Sequence, residues 1–453
     1  MVATIAAGTS AGYYLAQSEY YLGGSEPPGE WIAGGEGFGI ANGAQVEAEL
    51  FEQLHAAIGP DGTCLLSNGG GHIDRVPGYD MTFSAPKSVS VLWALCDEEL
   101  RQGIEAAQAE AVRAAIQVLE SNAGFSRRGR NGLQSEAAHF NVAAFQHGEA
   151  RPTEHSDGRL FADPQLHTHA VILNLARRAD GTVGTLDGRR LFAWKMAAGA
   201  AYHLALASGL QRIGLSVTDI GKNGMFEIGG VDARLAEYFS ARRAEIGEAL
   251  EEAGLTSAAA PALAGTITKA SRKAKVAANH TDRFRMWKEM AAAQGYEPEH
   301  VVEGARAPGA SATAPEHDIR AQLRIIPEQL TQTESVFERR QLVAAVATAL
   351  TGSGASAARI EQEVRSLIEI GSVVELGADA IGEMRYSTPE MIRCEREILA
   401  MARKLSARSL HVPDRALADR LVMEGGLSGE QADAVSVATA GNAIAVIEGA
   451  AGS

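Results

Sequence analysis

Apolar and polar positions along the chain fall into runs with two different periods. MTF before a Ser-Ala-Pro turn, AVILNL after DPQLHTH, and AAHFNVAAFQH before GEAR have the short apolar or alternating character of strands, whereas VSVLWAL opens an amphipathic helix. Ser10 as N-cap and Gly23 as stop bound a predicted helix of about three turns over SAGYYLAQSEYYLGG. FSRRGRNG is a Gly-rich turn between strand-like segments, the tip of a hairpin arm. Residues 305 to 315, ARAPGASATAP, lack apolar periodicity and read as a linker. Helical patterns follow at about 335–351 and 357–370, then the pairable stretches SVVELG and EMRYST, then a helix at about 388–406, which is a winged-helix-like order. From Leu427 a helix over LSGEQADAVSVAT, a turn at AGN and an apolar strand AIAVIEG lead to Ser453. The mixture predicts an α+β chain, and 453 residues allow about three folding units at ~150 residues each. Boundaries are placed at 1–304, a linker at 305–330, then 331–410 and 411–453.

Composition narrows the classes. Apolar residues make up 46% and charged residues 21%, an ordinary globular balance. The net charge of −15 has the wrong sign for coating nucleic acid through bulk charge, so any such contact must use local patches. One patch is Lys269, Arg272, Lys273, Lys275, Arg283, Arg285 and Lys288, with Asp282 the single acid among them. Another is Arg127, Arg128 and Arg130 in the hairpin tip; solvated faces and DNA contacts are both open readings of such clusters. Three distant cysteines, Cys64, Cys96 and Cys394, exclude a disulfide framework or a CxxC knuckle and fit a reducing cytoplasm. With no basic leader and no apolar run near ~20 residues, the chain is expected to be neither secreted nor membrane-spanning.

Four of nine tyrosines lie between positions 13 and 21. On a helix, residues seven apart drift by only ~20°, so Tyr13 stacks over Tyr20 and Tyr14 over Tyr21. Such a face either packs on a core or presents phenols as nucleophiles; the polar and small neighbours Gly12, Gln17, Ser18 and Glu19 weaken the first reading.

Histidine is the second concentration, with five of twelve between His139 and His169. On a strand, positions i and i+2 face one way, so His167 and His169 can meet one ion, or else form an incidental half-buried pair. His139 and His147 share a face but stand eight residues apart, about 26 Å at ~3.3 Å per residue, so only one can supply a third ligand. His147, at the strand end, is better placed, and three imidazoles leave positions for water or a phosphate oxygen. Asp80, near the Ser-Ala-Pro turn, is either a cap or a group that orients an imidazole or takes a proton from a tyrosine. Lys87 follows at a helix start, where a phosphate is favoured.

GYYLAQSEYYLGG, PGYDMTFSAPKSVSVLWAL, FQHGEAR and DPQLHTHAVILN, in that order, resemble the relaxase domain of MobF-type conjugative DNA relaxases, members of the HUH endonucleases. The resemblance covers about residues 1 to 300. It implies a central antiparallel sheet flanked by helices, a divalent ion on His147, His167 and His169, and tyrosine nucleophiles in two pairs. Tyr13 or Tyr14 would cleave first, Tyr20 or Tyr21 would act in the later strand transfer, and Asp80 would help activate the tyrosine and orient a ligating histidine. One departure is the spacing: such relaxases place the first histidine eleven residues before the second, with Ser-Arg soon after, whereas here the gap is twenty and Ala150 precedes Arg151. The extra residues, about Pro152 to Ala162, read as a lengthened loop and contain His155, an alternative to His147. The chain end resembles superfamily 1 helicases, with Gln431 as their adenine-contacting glutamine and Gly449 near the opening of a P-loop that stops before its lysine. On that resemblance residues 331–410 form a winged-helix-like region and 411–453 the start of a RecA-like helicase domain, without ATP hydrolysis.

The expected chemistry is metal-assisted transesterification: a tyrosine attacks a single-stranded phosphodiester, giving a 5′-phosphotyrosine and a free 3′-hydroxyl, with Mg²⁺ or Mn²⁺, or else Zn²⁺, on the histidines. Unpaired bases would be gripped by stacking, and phosphates of an adjoining hairpin by Lys87, Arg127, Arg128, Arg130, Arg151, Lys269, Arg272, Lys273 and Lys275. Expected partners are the transfer origin, relaxosome accessory proteins and the coupling protein of a type IV secretion system, in the bacterial cytoplasm and, with the DNA, in the recipient. Three other readings remain: a metal-dependent hydrolytic nuclease, a replication-initiator-type HUH protein and a binding-only origin-recognition module.

Overall fold

The computed structural model describes residues 3–8, 11, 27–33, 38–66, 75–129, 134–252, 283–306, 313–379, 382–408, 414–441 and 443–449. Tyr13, Tyr14, Tyr20, Tyr21, Arg130, Lys269, Arg272, Lys273 and Lys275 lie outside the described residues, as does nearly all of the helix expected at the N-terminus. Contacts divide the chain into two units, Met1–Ile326 with Arg339–Ser366, and Pro327–Glu338 with Leu367–Ser453.

In the first unit the longer strands are β1 (Thr4–Ala7), β2 (Glu30–Ala33), β3 (Gly78–Ser84), β4 (Phe125–Arg128), β5 (Gln134–Ala137), β6 (Asn141–Glu154) and β7 (Leu160–Leu173), with two further pairs of two-residue strands after them. Five of them make one sheet in the order β1-β3-β7-β6-β2, every neighbouring pair antiparallel. β4 and β5 pair as the expected hairpin arm. Period-two alternation explains how the central strands present two faces. Met81 and Phe83 of β3 and Leu166, Thr168 and Ala170 of β7 are buried on one side, while Thr82, Ser84, Gln165, His167 and His169 remain partly exposed on the other.

The buried side is covered by helices α2 (Lys87–Leu95), α3 (Glu98–Ala123) and α4 (Gly188–Arg212), which follow the short α1 (Ala48–His55) in the chain. Asp97 caps α3 by accepting from Leu100 N, and Glu98 and Glu99 complement the dipole of its first turn. Small residues let α3 and α4 approach closely: a Cβ on Gly209 would stand 2.9 Å from that of Ala107. Burial of Phe83, Leu166 and Met81 here stabilises the fold by about 1.5–3 kcal/mol each. One polar network crosses this apolar layer. Gln108 Nε2 donates to Phe83 O (3.3 Å) and Thr168 Oγ1 (3.1 Å), while Tyr202 OH donates to Gln108 Oε1 (2.6 Å). Gln108 and Tyr202 are fully buried, so these bonds tie β3 to β7 from beneath. On the opposite side α1 closes one end of the sheet, Phe51 packing on Trp31 and Phe145 at 6.1 and 5.5 Å between ring centroids.

Two expectations are corrected. The stretch 152–162 is not a loop: β6 runs on to Glu154 and β7 starts at Leu160, with Thr153 opposite Phe161 and Glu154 opposite Leu160. Two register shifts, between His147 and Glu149 and between Glu149 and Pro152, let the extra residues continue the ladder. Within the stretch read as linker, Glu316–Leu330 form a helix.

In the second unit Phe337–Glu338, Met384–Ser387 and Val374–Ala378 pair as a three-stranded antiparallel sheet, followed by a helix over Pro389–Ser406 capped by Thr388. Helices Arg339–Leu350 and Ala358–Glu369 form where the apolar pattern places them, and Arg339–Ser366 make their contacts within the first unit. The strand expected at AIAVIEG does not form, since residues 443–449 are irregular and find no partner strand among the described residues. No helix among the described residues is long and apolar enough to cross a membrane.

Candidate metal centre

His147 and His167 are direct cross-strand partners on β6 and β7, and His169 follows two positions along β7 opposite Phe145. Strand parity therefore turns three imidazoles to one face. One ring nitrogen from each lies within 4.8 Å of the other two, and the ring centroids are 5.1–5.3 Å apart. His139, expected on the same strand as His147, lies in the connection before β6, largely exposed and paired with Glu120 (3.1 Å). His155 is buried at the turn of the β6–β7 hairpin, its Nε2 3.4 Å from Asp163 Oδ1 and its ring 5.2 Å from that of Tyr238, and it does not join the cluster.

Bonds behind two of the three rings define their tautomers. His167 Nδ1 lies 2.7 Å from Gln165 O, and a carbonyl only accepts, so Nδ1 carries the proton and Nε2 is the ligand nitrogen of the neutral ring. His169 Nδ1 lies 3.0 and 2.9 Å from the two oxygens of Asp80, which has the same consequence. Asp80 sits within β3 and is only 9% exposed, so the structure makes it an imidazole partner and not a helix cap. Thr82 Oγ1 adds contacts at 3.3 Å to His169 Nδ1 and 3.5 Å to Asp80 Oδ1. A carboxylate and a carbonyl behind two imidazoles are the outer contacts that make histidines metal ligands, so the donor set fits a divalent cation.

The backbone next to the trio is held from below. A Cβ on Gly148 would lie 2.3 Å from Cη2 of Trp93, so only glycine lets β6 rest on that ring. Trp93 donates from Nε1 to Glu105 Oε1 (2.8 Å) and packs on Phe284 and Trp287. Burial raises the pKa of Glu105, with the Trp93 bond opposing.

Other residues picked from the sequence are placed as follows. Lys87 at the start of α2 is half-buried and gives one of its three donors to Pro164 O (2.9 Å). Burial pushes its pKa down to about 8 against the pull of Asp163, whose own carboxyl is pushed up by burial. Arg128 bridges Asp180 (2.5 Å) and Glu136 (3.4 Å), and Arg127 stands 4.0 Å from Asp187, so this arm is partly neutralised by its own acids. Arg151 is half-buried on β6. Gln431 forms a capping box with Ser428, each side chain accepting from the other's backbone N–H at 3.0 and 3.3 Å. Gly449 lies in the irregular end. Sequence reasoning missed Thr82, Gln108 and Gly148. Thr82 shares the strand parity of Asp80 and Gly148 is a glycine inside a strand, which are the signals that mark them.

A five-stranded antiparallel sheet whose central strands present three imidazoles, one backed by an aspartate, fits the relaxase reading of the sequence, and comparison with known families fixes the class. Residues 7–294 match the TrwC relaxase family, more than half of the chain, and the chain belongs to that family of DNA-nicking enzymes. It is 33% identical over 264 residues to the multifunctional conjugation protein TraI of Escherichia coli K12, and 32% over 263 residues to a second Escherichia coli TraI. Those matches span 55% of this chain but 14% of either relative. Among solved structures, the conjugative relaxase TrwC in a metal-bound complex with oriT DNA aligns with TM-score 0.56 at 26% identity. TrwC with a 27-mer DNA comprising the recognition hairpin and the cleavage site aligns with TM-score 0.53 at 27% identity. Each alignment covers 65% of this chain and 99% of the other.

Proposed function

We propose that residues 1–304 nick one strand of single-stranded DNA at the transfer origin of a conjugative plasmid and hold the cut end covalently. The observation that carries this reading is the trio His147, His167 and His169 on adjacent strands, with Asp80 behind His169, in a TrwC-family fold. His147, His167 and His169 would hold a divalent cation, Mg²⁺ or Mn²⁺ by our reading, which would supply positive charge at the scissile phosphate. The chain's own residues do the rest. Asp80 and Gln165 O keep protons on Nδ1 of His169 and His167, so both rings offer Nε2. The phenolic oxygen of Tyr13 or Tyr14 attacks phosphorus, the bond from phosphorus to O3′ breaks, and O3′ ends with the proton the phenol loses. The ester is retained, so a 3′-hydroxyl can attack phosphorus, expel the phenol and reseal the strand without ATP, while Tyr20 or Tyr21 acts in the later strand transfer. Arg127, Arg128, Arg130, Arg151, Lys269, Arg272, Lys273, Lys275 and the remaining donors of Lys87 contact phosphates.

Residues 331–410 serve as a winged-helix-like region and 411–453 as the start of a RecA-like domain in which Gln431 meets adenine. The enzyme works in the bacterial cytoplasm with relaxosome accessory proteins and a type IV coupling protein, and travels with the DNA. The test is a labelled transfer-origin oligonucleotide with Mn²⁺ on a denaturing gel. A labelled protein band that Tyr13→Phe with Tyr14→Phe abolishes supports the reading. Label released as a 5′-phosphate with no covalent band would indicate a hydrolytic nuclease, and binding without cleavage an origin-recognition module.

A further inference from the structure

Thr82 is the direct cross-strand neighbour of His169, whereas Asp80 pairs with Val171 and reaches His169 only along the diagonal. Direct cross-strand neighbours stand ~4.5–5.5 Å apart at Cβ and diagonal ones up to ~7–8 Å, so the Asp80 carboxylate must lean along β3 to meet Nδ1. The Thr82 hydroxyl is the group beside it as it leans, 3.5 Å from Asp80 Oδ1 and 3.3 Å from His169 Nδ1. Because Nδ1 already donates to the carboxylate, it cannot accept from Thr82, and the hydroxyl proton therefore goes to Asp80 Oδ1. β-branching restricts the Thr82 rotamer, so this contact is fixed by the strand itself.

We propose that Thr82 is a positioning residue of the metal centre: its hydroxyl holds the Asp80 carboxylate on His169 Nδ1, which keeps the His169 Nε2 lone pair turned toward the ion. The assignment rests on the trio holding a cation, and its test separates the two claims.

Thr82→Val removes the hydroxyl at almost constant shape and suits a strand, while Thr82→Ser keeps the hydroxyl. In the metal-free full chain, long-range ¹H–¹⁵N spectra of the histidine rings should show His169 protonated at Nδ1 in wild type and Thr82→Ser, and a mixture of tautomers in Thr82→Val. Titration with Mn²⁺ alone should weaken about 3- to 10-fold in Thr82→Val and by less than about twofold in Thr82→Ser, a smaller loss than for a direct partner of a ligating histidine. A Thr82→Val chain with the wild-type tautomer and Mn²⁺ affinity overturns the proposal, as does an equal loss in both variants. A wild-type chain that binds no Mn²⁺ overturns the metal reading instead, and the ring spectra then decide on Thr82 alone.

Discussion

Gly148→Ala perturbs the metal centre without touching a ligand. The added Cβ would lie 2.3 Å from Trp93 Cη2 and 3.1 and 3.2 Å from Cζ3 and Cζ2, whereas ordinary contacts begin near 3.4 Å. One partner must yield by roughly 1 Å, and such overpacking costs about 1–3 kcal/mol. Trp93 has little freedom, being 1% exposed, bonded to Glu105 and packed between Phe284 and Trp287. The strand yields instead, and His147, the preceding residue, moves with it. Metal–imidazole bonds of ~2.0–2.1 Å tolerate about 0.2 Å, so a shift of that size removes one ligand. Calorimetric melting should fall by about 3–10 °C, and Mn²⁺ affinity by isothermal titration should drop at least about tenfold. Trp93→Phe in the same chain shortens the ring below and should recover part of both losses. A Gly148→Ala protein with unchanged melting and unchanged affinity would refute the claim that contact with Trp93 sets the position of His147.

Asp80→Asn leaves His169 without an anionic partner and should weaken Mn²⁺ binding about 10- to 100-fold, read by titration; affinity within twofold of wild type would remove Asp80 from the centre. Gln108→Leu strands the buried Tyr202 hydroxyl and frees Thr168, so urea unfolding should show a loss of about 2–4 kcal/mol; a neutral result would mean the network contributes nothing net. Lys87 has a folded pKa near 8, below the ordinary lysine value, so its charge opposes folding where both states are protonated, below pH 8, and that cost fades as the pH rises toward ~10.4. Lys87→Met should therefore gain stability relative to wild type at pH 7, by at most about 3 kcal/mol, and lose that margin by pH 10. A pH-independent difference in urea unfolding would contradict the depressed pKa.

Much of the centre was legible in the sequence because strand parity is a local rule. His167 and His169 had to face one way once AVILNL was read as strand, and His147 needed only an adjacent strand in the right register, although β6 runs on to Glu154 and does not end at His147 as expected. What escaped depends on register, which one strand does not reveal. Thr82 matters because it falls opposite His169, and Gly148 because Trp93, from a helix, arrives beneath it. Pro152 to Ala162 were misread as loop because Gly158 and the polar residues around it resemble one, while two register shifts let both flanks continue as strand. Lys87 was read as a phosphate contact from its place at a helix start, and only the register of β7 reveals that its ammonium also donates to Pro164 O. AIAVIEG has the composition of a buried strand but lacks, among the described residues, the neighbour that would complete a ladder.

The long hairpin of β6 and β7 separates chain distance from spatial distance at this centre. His147 and His167 face each other across a single rung, yet twenty positions of sequence part them, most of them on the two arms beyond that rung. Residues added in matched pairs at the tip lengthen both arms together and leave the rung untouched. Signatures that demand a set interval between the first and second histidine will therefore overlook proteins built this way, whereas a rule stated in rungs will recover them.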